Sequence, residues 1–174
     1  QLYLGYALMR QGRYADAIKR WQQCRADAVR FSSRRLISNS DRALGTVAIK
    51  QGDLATARYH LRESLLTIRS ANSNVLIVDR LEVFADLFYA EGQYELALQL
   101  YGLANTYRDK MQMPAPPADH DEIRERINDM LNFMDPDLAQ NAWLTGEHME
   151  LQAAVDMVLD VISIEVSDNP VSED

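Results

Sequence analysis

Apolar positions fall at helical spacing on either side of three glycines, and the whole arrangement returns every forty residues between Gln1 and about Arg108. Ahead of the glycine stand pairs of an apolar and a small residue: Leu4-Gly5, Leu44-Gly45 and Phe84-Ala85. Leu8 continues the first of these faces, and Leu81 and Phe88 flank the third. Behind the glycine, Tyr14, Ala17, Ile18, Trp21 and Cys24 share one helical face. Gly12, Gly52 and Gly92 keep the step, as do Ala17, Ala57 and Ala97, then Trp21, Leu61 and Tyr101, then Cys24, Ser64 and Ala104. Each glycine ends one helix and turns the chain, because it accepts the left-handed conformation without a Cβ clash. The small positions let the two helices approach, and the large side chain fills the space between hairpins. The pattern predicts three helical hairpins, at 1–30, 36–70 and 75–110, within a unit spanning 1–112. No hairpin can bury its face alone, so the copies are expected to stack as a solenoid.

Downstream the pattern changes. Residues 113–118 form a proline-rich break, since each proline removes an amide donor and restrains the residue before it. A helix is expected from Asp119 as N-cap, with Glu122 completing a capping box, to about Met134. Its apolar face is Ile123, Ile127, Met130, Leu131 and Met134. Asp135-Pro136 caps and starts another helix, which Gly146 is expected to end. A last helix, near Glu150 to Ile162, carries Leu151, Ala154, Val155, Val158, Leu159 and Ile162. Helices within 119–163 are expected to cap the open end of the third repeat, or to form a dimer seam through exposed Met and Val side chains. The acidic tail, 164–174, is expected to be disordered. The fold class is all-α.

The run Leu-Gly, Gly, Tyr, Ala, aromatic, Ala within a helix-turn-helix resembles the tetratricopeptide repeat. The step of forty exceeds that family's usual period of about thirty-four. Copy two departs further, with Leu54 and Leu61 where rings are usual, and no copy carries the closing proline. The array, the Pro-Pro step and the "DPDLAQNAWLTGEHMELQAAVDMVL" segment together resemble the C-terminal arm of large bacterial regulators. These are the STAND-class signal-transduction ATPases and the LuxR-like and SARP-like transcriptional regulators. Trp143, Gly146, Met149 and Ala154 stand at the matching positions, while Glu150 replaces an expected Ser or Thr cap. The resemblance implies a tetratricopeptide-like solenoid with C-terminal capping helices, in which the first helix of each repeat lines a concave groove. That places Tyr6, Met9 and Arg10 in the groove from copy one. Copy two supplies Asn39, Arg42, Thr46 and Lys50, and copy three Asp79, Glu82, Asp86 and Tyr89. The groove is then basic at one end and acidic at the other. Arg10, Asn39, Arg42 and Lys50 could hold a carboxylate or phosphate by charge-assisted hydrogen bonds. The plainer reading is a solvated polar helix face. The family's peptide-carboxylate clamp is met only approximately, by Asn39 and Arg42.

Composition agrees with a compact helical unit. The chain has 174 residues, 47% of them hydrophobic, and no run long enough to span a membrane. It opens without Met and within an amphipathic pattern, which suggests a fragment, and the expected compartment is the cytoplasm. Cys24 occupies a small-residue packing slot, so an inert buried thiol is expected. Charge is strongly uneven: residues 1–70 hold thirteen Lys/Arg against five Asp/Glu, and residues 71–174 hold five against twenty-one. Such asymmetry suggests a partner surface or a docking surface within a larger protein, although drift on solvated faces would give the same. Arg13, Lys19, Arg20, Arg34 and Arg35 lack a reading motif or interleaved aromatics, so no direct nucleic-acid binding is expected. His60, His120 and His148 are scattered, and neither a nucleophile elbow nor a phosphate loop is present. No enzyme activity, cofactor or metal is therefore expected. The partner would be a protein, a peptide, a small effector or another domain of the same polypeptide. The function expected is a sensing or interaction arm coupled to an upstream ATPase or DNA-binding module. The alternative is an assembly adaptor whose repeats serve self-association into a homo-oligomer.

Overall fold

A computed structural model describes residues 1–70, 73–114 and 117–167, with only the backbone described at 117–119 and 164–167. Among the described residues every element is an α-helix. Three hairpins come first: α1 (Leu2–Arg10) with α2 (Tyr14–Arg30), α3 (Arg34–Gln51) with α4 (Leu54–Ile68), and α5 (Asn74–Ala90) with α6 (Tyr94–Met111). Then follow α7 (Pro117–Phe133), α8 (Pro136–His148) and α9 (Leu151–Ser167). Each of α1 to α5 packs on the next, and the first helices of the hairpins also touch, α1 on α3 and α3 on α5.

The forty-residue step is a physical repeat of turns and contacts. Gly12, Gly52 and Gly92 have φ of +74°, +76° and +75°. The amide that follows each of them reaches back five residues: Arg13 to Leu8 O at 3.0 Å, Asp53 to Ala48 O at 3.0 Å, Gln93 to Phe88 O at 2.8 Å. This double closure satisfies the orphan carbonyls of the ending helix. The small positions face the large ones as expected. A Cβ on Gly5 would lie 2.2 Å from the Trp21 ring, and one on Gly45 would lie 2.6 Å from Leu61. Trp21 and Leu61 are fully buried, Tyr101 is 3% exposed, and Cys24, Ser64 and Ala104 fill the small slots beside them.

Polar groups also join the hairpins. Asp41, fully buried, accepts from Arg25 Nε of α2 at 2.8 Å and from His60 Nδ1 of α4 at 2.9 Å. Arg80, 1% exposed, donates to Ser38 Oγ at 3.0 Å, Ser64 Oγ at 3.3 Å and Asp79 Oδ2 at 2.6 Å, and also to Asn39 Oδ1. A buried guanidinium is tolerable only when its donors are matched in this way.

Several expectations for the last third change. Gly146 does not end α8, which runs on to His148. It is instead a crossing point, because a Cβ there would lie 1.9 Å from Gln99 O of α6. Opposite it, Gly102 of α6 meets Trp143 O at 2.6 Å in the same construction. Helix α7 starts at Pro117, which puts Asp119 inside the first turn, not at the N-cap. Pro at the first helical position has no amide to satisfy there. Leu131 is 48% exposed and lies off the buried face that Met130 holds. Asp135 does cap α8, accepting from Asp137 N at 2.9 Å and Leu138 N at 3.2 Å. Helix α8 covers α6, whereas α9 lies against α5 and α4 and continues to Ser167, beyond the expected end. Residues 168–174 of the expected disordered tail lie outside the described residues.

Substituting Gly146→Ala separates two opposing effects. Helix propensity alone would stabilise the chain by about 1 kcal/mol. The 1.9 Å contact with Gln99 O forces α6 and α8 apart, at a cost of about 2–3 kcal/mol, as overpacking does. The expected result is a net lowered urea midpoint, with the exposed neighbour variant Thr145→Ala within about 0.5 kcal/mol of the parent. A stabilised Gly146→Ala would show that the crossing is not tight.

Candidate functional site

A groove of about 500 Å³ opens on the side where α1, α3 and α5 lie together. Tyr6, Met9 and Arg10 enter it from α1, Arg42, Thr46 and Lys50 from α3, and Asp79, Glu82 and Asp86 from α5. These residues are among the groove positions that the family resemblance implied. Asn39 and Tyr89 do not line it. Asn39 Oδ1 is taken by the buried guanidinium of Arg80. Tyr89 donates to Asp129 Oδ2 of α7 at 2.6 Å and stacks on Tyr94 at 5.9 Å.

Seven further residues line the groove and were not expected there, among them Tyr14, Ile49 and Val83. Arg108 of α6 lines it, and Glu122, Ile123 and Arg126 of α7 form its outer wall. No local sequence signal marks them, because the partners of Arg108, Arg126 and Glu122 lie 26, 40 and 72 residues away. The nearest clue was the charged run around Glu122.

The charges in the groove are interleaved and paired, so it is not basic at one end and acidic at the other. Arg42 lies 3.1 Å from Asp79 and donates to Tyr6 OH at 2.8 Å. Arg108 forks onto both oxygens of Glu82. Arg126 meets Asp86 at 2.9 Å and Glu122 at 2.9 Å, and Lys50 meets Glu122 at 3.1 Å. Arg10 differs from these, having no side-chain partner among the described residues. Around it are the apolar and aromatic side chains of Met9, Tyr14 and Ile49. The arrangement offers one uncommitted cation beside apolar surface, backed by a neutralised wall. That suits a single anionic group carried on a partly apolar ligand.

Burial raises all three groove carboxylates, and their cation partners decide the net direction. The Asp86 carboxyl is pushed up to about 6, chiefly by burial, against the charge of Arg126 and the hydrogen bond from Tyr101 OH. Glu82 is also raised by burial, with Arg108 opposing. Burial raises Glu122 too, but the hydrogen bonds and charges of Lys50 and Arg126 outweigh it and hold that carboxyl below its ordinary range. Elsewhere, Phe31 is 79% exposed between Arg30 and Arg34, so one aromatic does interleave with the basic run, contrary to the expectation from sequence. Among the described residues no three His, Cys, Asp or Glu side chains are grouped to hold a metal ion, and no helix is long and apolar enough to cross a membrane.

The Asp86 shift has a definite sign. Its folded value of about 6 exceeds the unfolded value of about 3.9. Between them the native state binds more protons, so this carboxyl lowers stability as pH rises from about 4 to about 6. The contribution is on the order of 2 kcal/mol. Asp86→Asn cannot titrate, so the stability of the variant relative to the parent should improve across that window. Urea unfolding at pH 4 and pH 6.5 measures it, and a constant difference would refute the assignment.

No family model, no curated protein and no solved structure matches this chain.

Proposed function

We propose that the chain is a tetratricopeptide-like repeat arm whose concave groove binds a peptide or small effector through one anionic group. Its hairpins would stack as a short solenoid with α8 and α9 as the capping helices. In the setting that the sequence resemblance implies, binding is coupled to an ATPase or DNA-binding module of a larger bacterial regulator. The observation that carries the reading is Arg10: a cation without a side-chain partner among the described residues, in a groove whose other charges are neutralised. A ligand carboxylate or phosphate meets it without breaking an existing ion pair, while Met9, Tyr14 and Ile49 supply apolar contact.

A second reading, assembly through the repeats alone, has its own observation. Tyr3 and Leu4 are 86% and 47% exposed, whereas Ala43, Leu44, Val83 and Phe84, at the same register in later copies, are at most 6% exposed. That outward face of α1 would be covered by a further helix in an assembly. Sedimentation equilibrium separates the readings: a concentration-dependent dimer abolished by Leu4→Asp favours assembly, and a monomer at all concentrations leaves the groove reading alone.

The groove reading is tested by NMR titration with short peptides ending in a free α-carboxylate, against the same peptides amidated. The expected result is that only the carboxylate set shifts Tyr6, Arg10 and Tyr14, and that Arg10→Ala weakens binding about tenfold or more, a charge-assisted contact being worth roughly 1.5–3 kcal/mol. The exposed Arg13→Ala should leave affinity unchanged. Equal affinity of the two peptide sets, or of Arg10→Ala and the parent, would sink the proposal.

A further inference from the structure

We propose that α7 is a displaceable wall of the groove, and that the partner it holds the place of is an amphipathic helix with the same charge order, Glu four residues before Arg. This rests on the groove reading and names its ligand class. The contacts of α7 fall on two successive copies, on Lys50 and Asp86 in the groove and on Tyr89 and Tyr94 beside it. Glu122 pairs with Lys50 of copy two at 3.1 Å. Arg126 pairs with Asp86 of copy three at 2.9 Å, and Asp129 accepts from Tyr89 at 2.6 Å. Phe133 stacks on Tyr94 at 6.4 Å. Ile123, Ile127 and Met134 pack beside the buried Met130 on the same side of the helix. Glu122, Arg126 and Asp129 follow one edge of the helix beside that apolar stripe, and an amphipathic helix laid against a groove is a recognised mode of helix capture.

Two features mark α7 as the seat's removable element. Among the described residues it buries one side chain completely, Met130, whereas α9 buries Leu151, Ala154, Val155, Val158 and Ile162. Its ion pair at the copy-two end is partly solvated, with the Glu122 side chain 51% exposed, and exposed pairs hold weakly. By contrast α8 is interlocked with α6 at Gly102 and Gly146. Segments with little burial and exposed polar contacts are those that open locally.

The register also says how a partner would win. Lys50, where α7 is anchored by Glu122, corresponds to Arg10 one copy earlier. The polar anchors of α7 stop at copy two, leaving Arg10 without a side-chain partner among the described residues. A partner helix extended towards copy one, with an acidic residue at least one turn before its Glu, makes every α7 contact and one more to Arg10. That added charge-assisted contact gives the partner its preference over the resident helix.

The test uses the full chain and a labelled peptide of residues 117–134, read by fluorescence anisotropy. The variant Glu122→Ala/Arg126→Ala, whose own α7 has lost its pairs to Lys50 and Asp86, should bind the peptide at least tenfold tighter than the parent chain. A peptide with Glu122→Lys and Arg126→Glu should lose that gain. Hydrogen exchange on the parent chain provides a second readout that does not depend on the variant folding: α7 amides should exchange at least tenfold faster than those of α6 and α8. Equal peptide affinities, or α7 amides as protected as those of α6, overturn the proposal. If the carboxylate peptides still bind through Arg10 in that event, the groove reading stands and only the displaceable helix falls. Loss of both signals removes both.

Discussion

Everything in this fold follows from how closely two helix backbones can approach when one of them carries no side chain at the crossing. Gly5 against Trp21 and Gly45 against Leu61 set the separation within the first two hairpins, and Gly102 with Gly146 does the same where α8 meets α6. Helices at that distance exclude water from the ring between them, and the area so buried dominates the stability. Between hairpins α1 touches α3 and α3 touches α5, and along that line the three helices present the polar residues of the groove.

Given that line, electrostatics decides what the groove can accept. Four carboxylates and four cations face one another at short range, and a pair of this kind costs desolvation that its Coulomb attraction only roughly returns. A ligand gains little by competing for them. The pairs instead fix side-chain rotamers and so shape the walls. Asp79 shows the economy of the arrangement, serving both Arg42 at the groove surface and Arg80 in the interior. Disturbance of the wall is thereby communicated to the buried contact between Arg80, Ser38 and Ser64.

The parts legible in the sequence were those governed by local chemistry or by the repeat. The turns at Gly12, Gly52 and Gly92, the buried Trp21 and the cap at Asp135 needed only neighbours a few residues away. The family resemblance placed Tyr6, Arg10, Arg42, Thr46, Lys50, Asp79, Glu82 and Asp86 in one groove, and all of them line it. Gly146 was misread because a glycine that stops a helix and one that admits a neighbouring backbone look the same in one dimension. Asn39 was misplaced because its partner, Arg80, lies forty-one residues away. The seat of α7 was invisible for a related reason: an amphipathic helix declares its apolar face, but nothing local says which surface will receive it.

The chain's last cation is Arg126, and eleven acidic residues follow it. The array thus begins in a basic hairpin and finishes in helices α8 and α9, which hold no Lys or Arg. Screening at physiological ionic strength acts over about 8 Å, less than the width of one helix with its side chains. The two ends therefore act on their surroundings as separate poles of opposite sign, not as one averaged charge. A negatively charged surface nearby attracts the α1–α2 pole and repels the α8–α9 pole, which orients the molecule. A net charge of −8, taken alone, would have forecast simple repulsion.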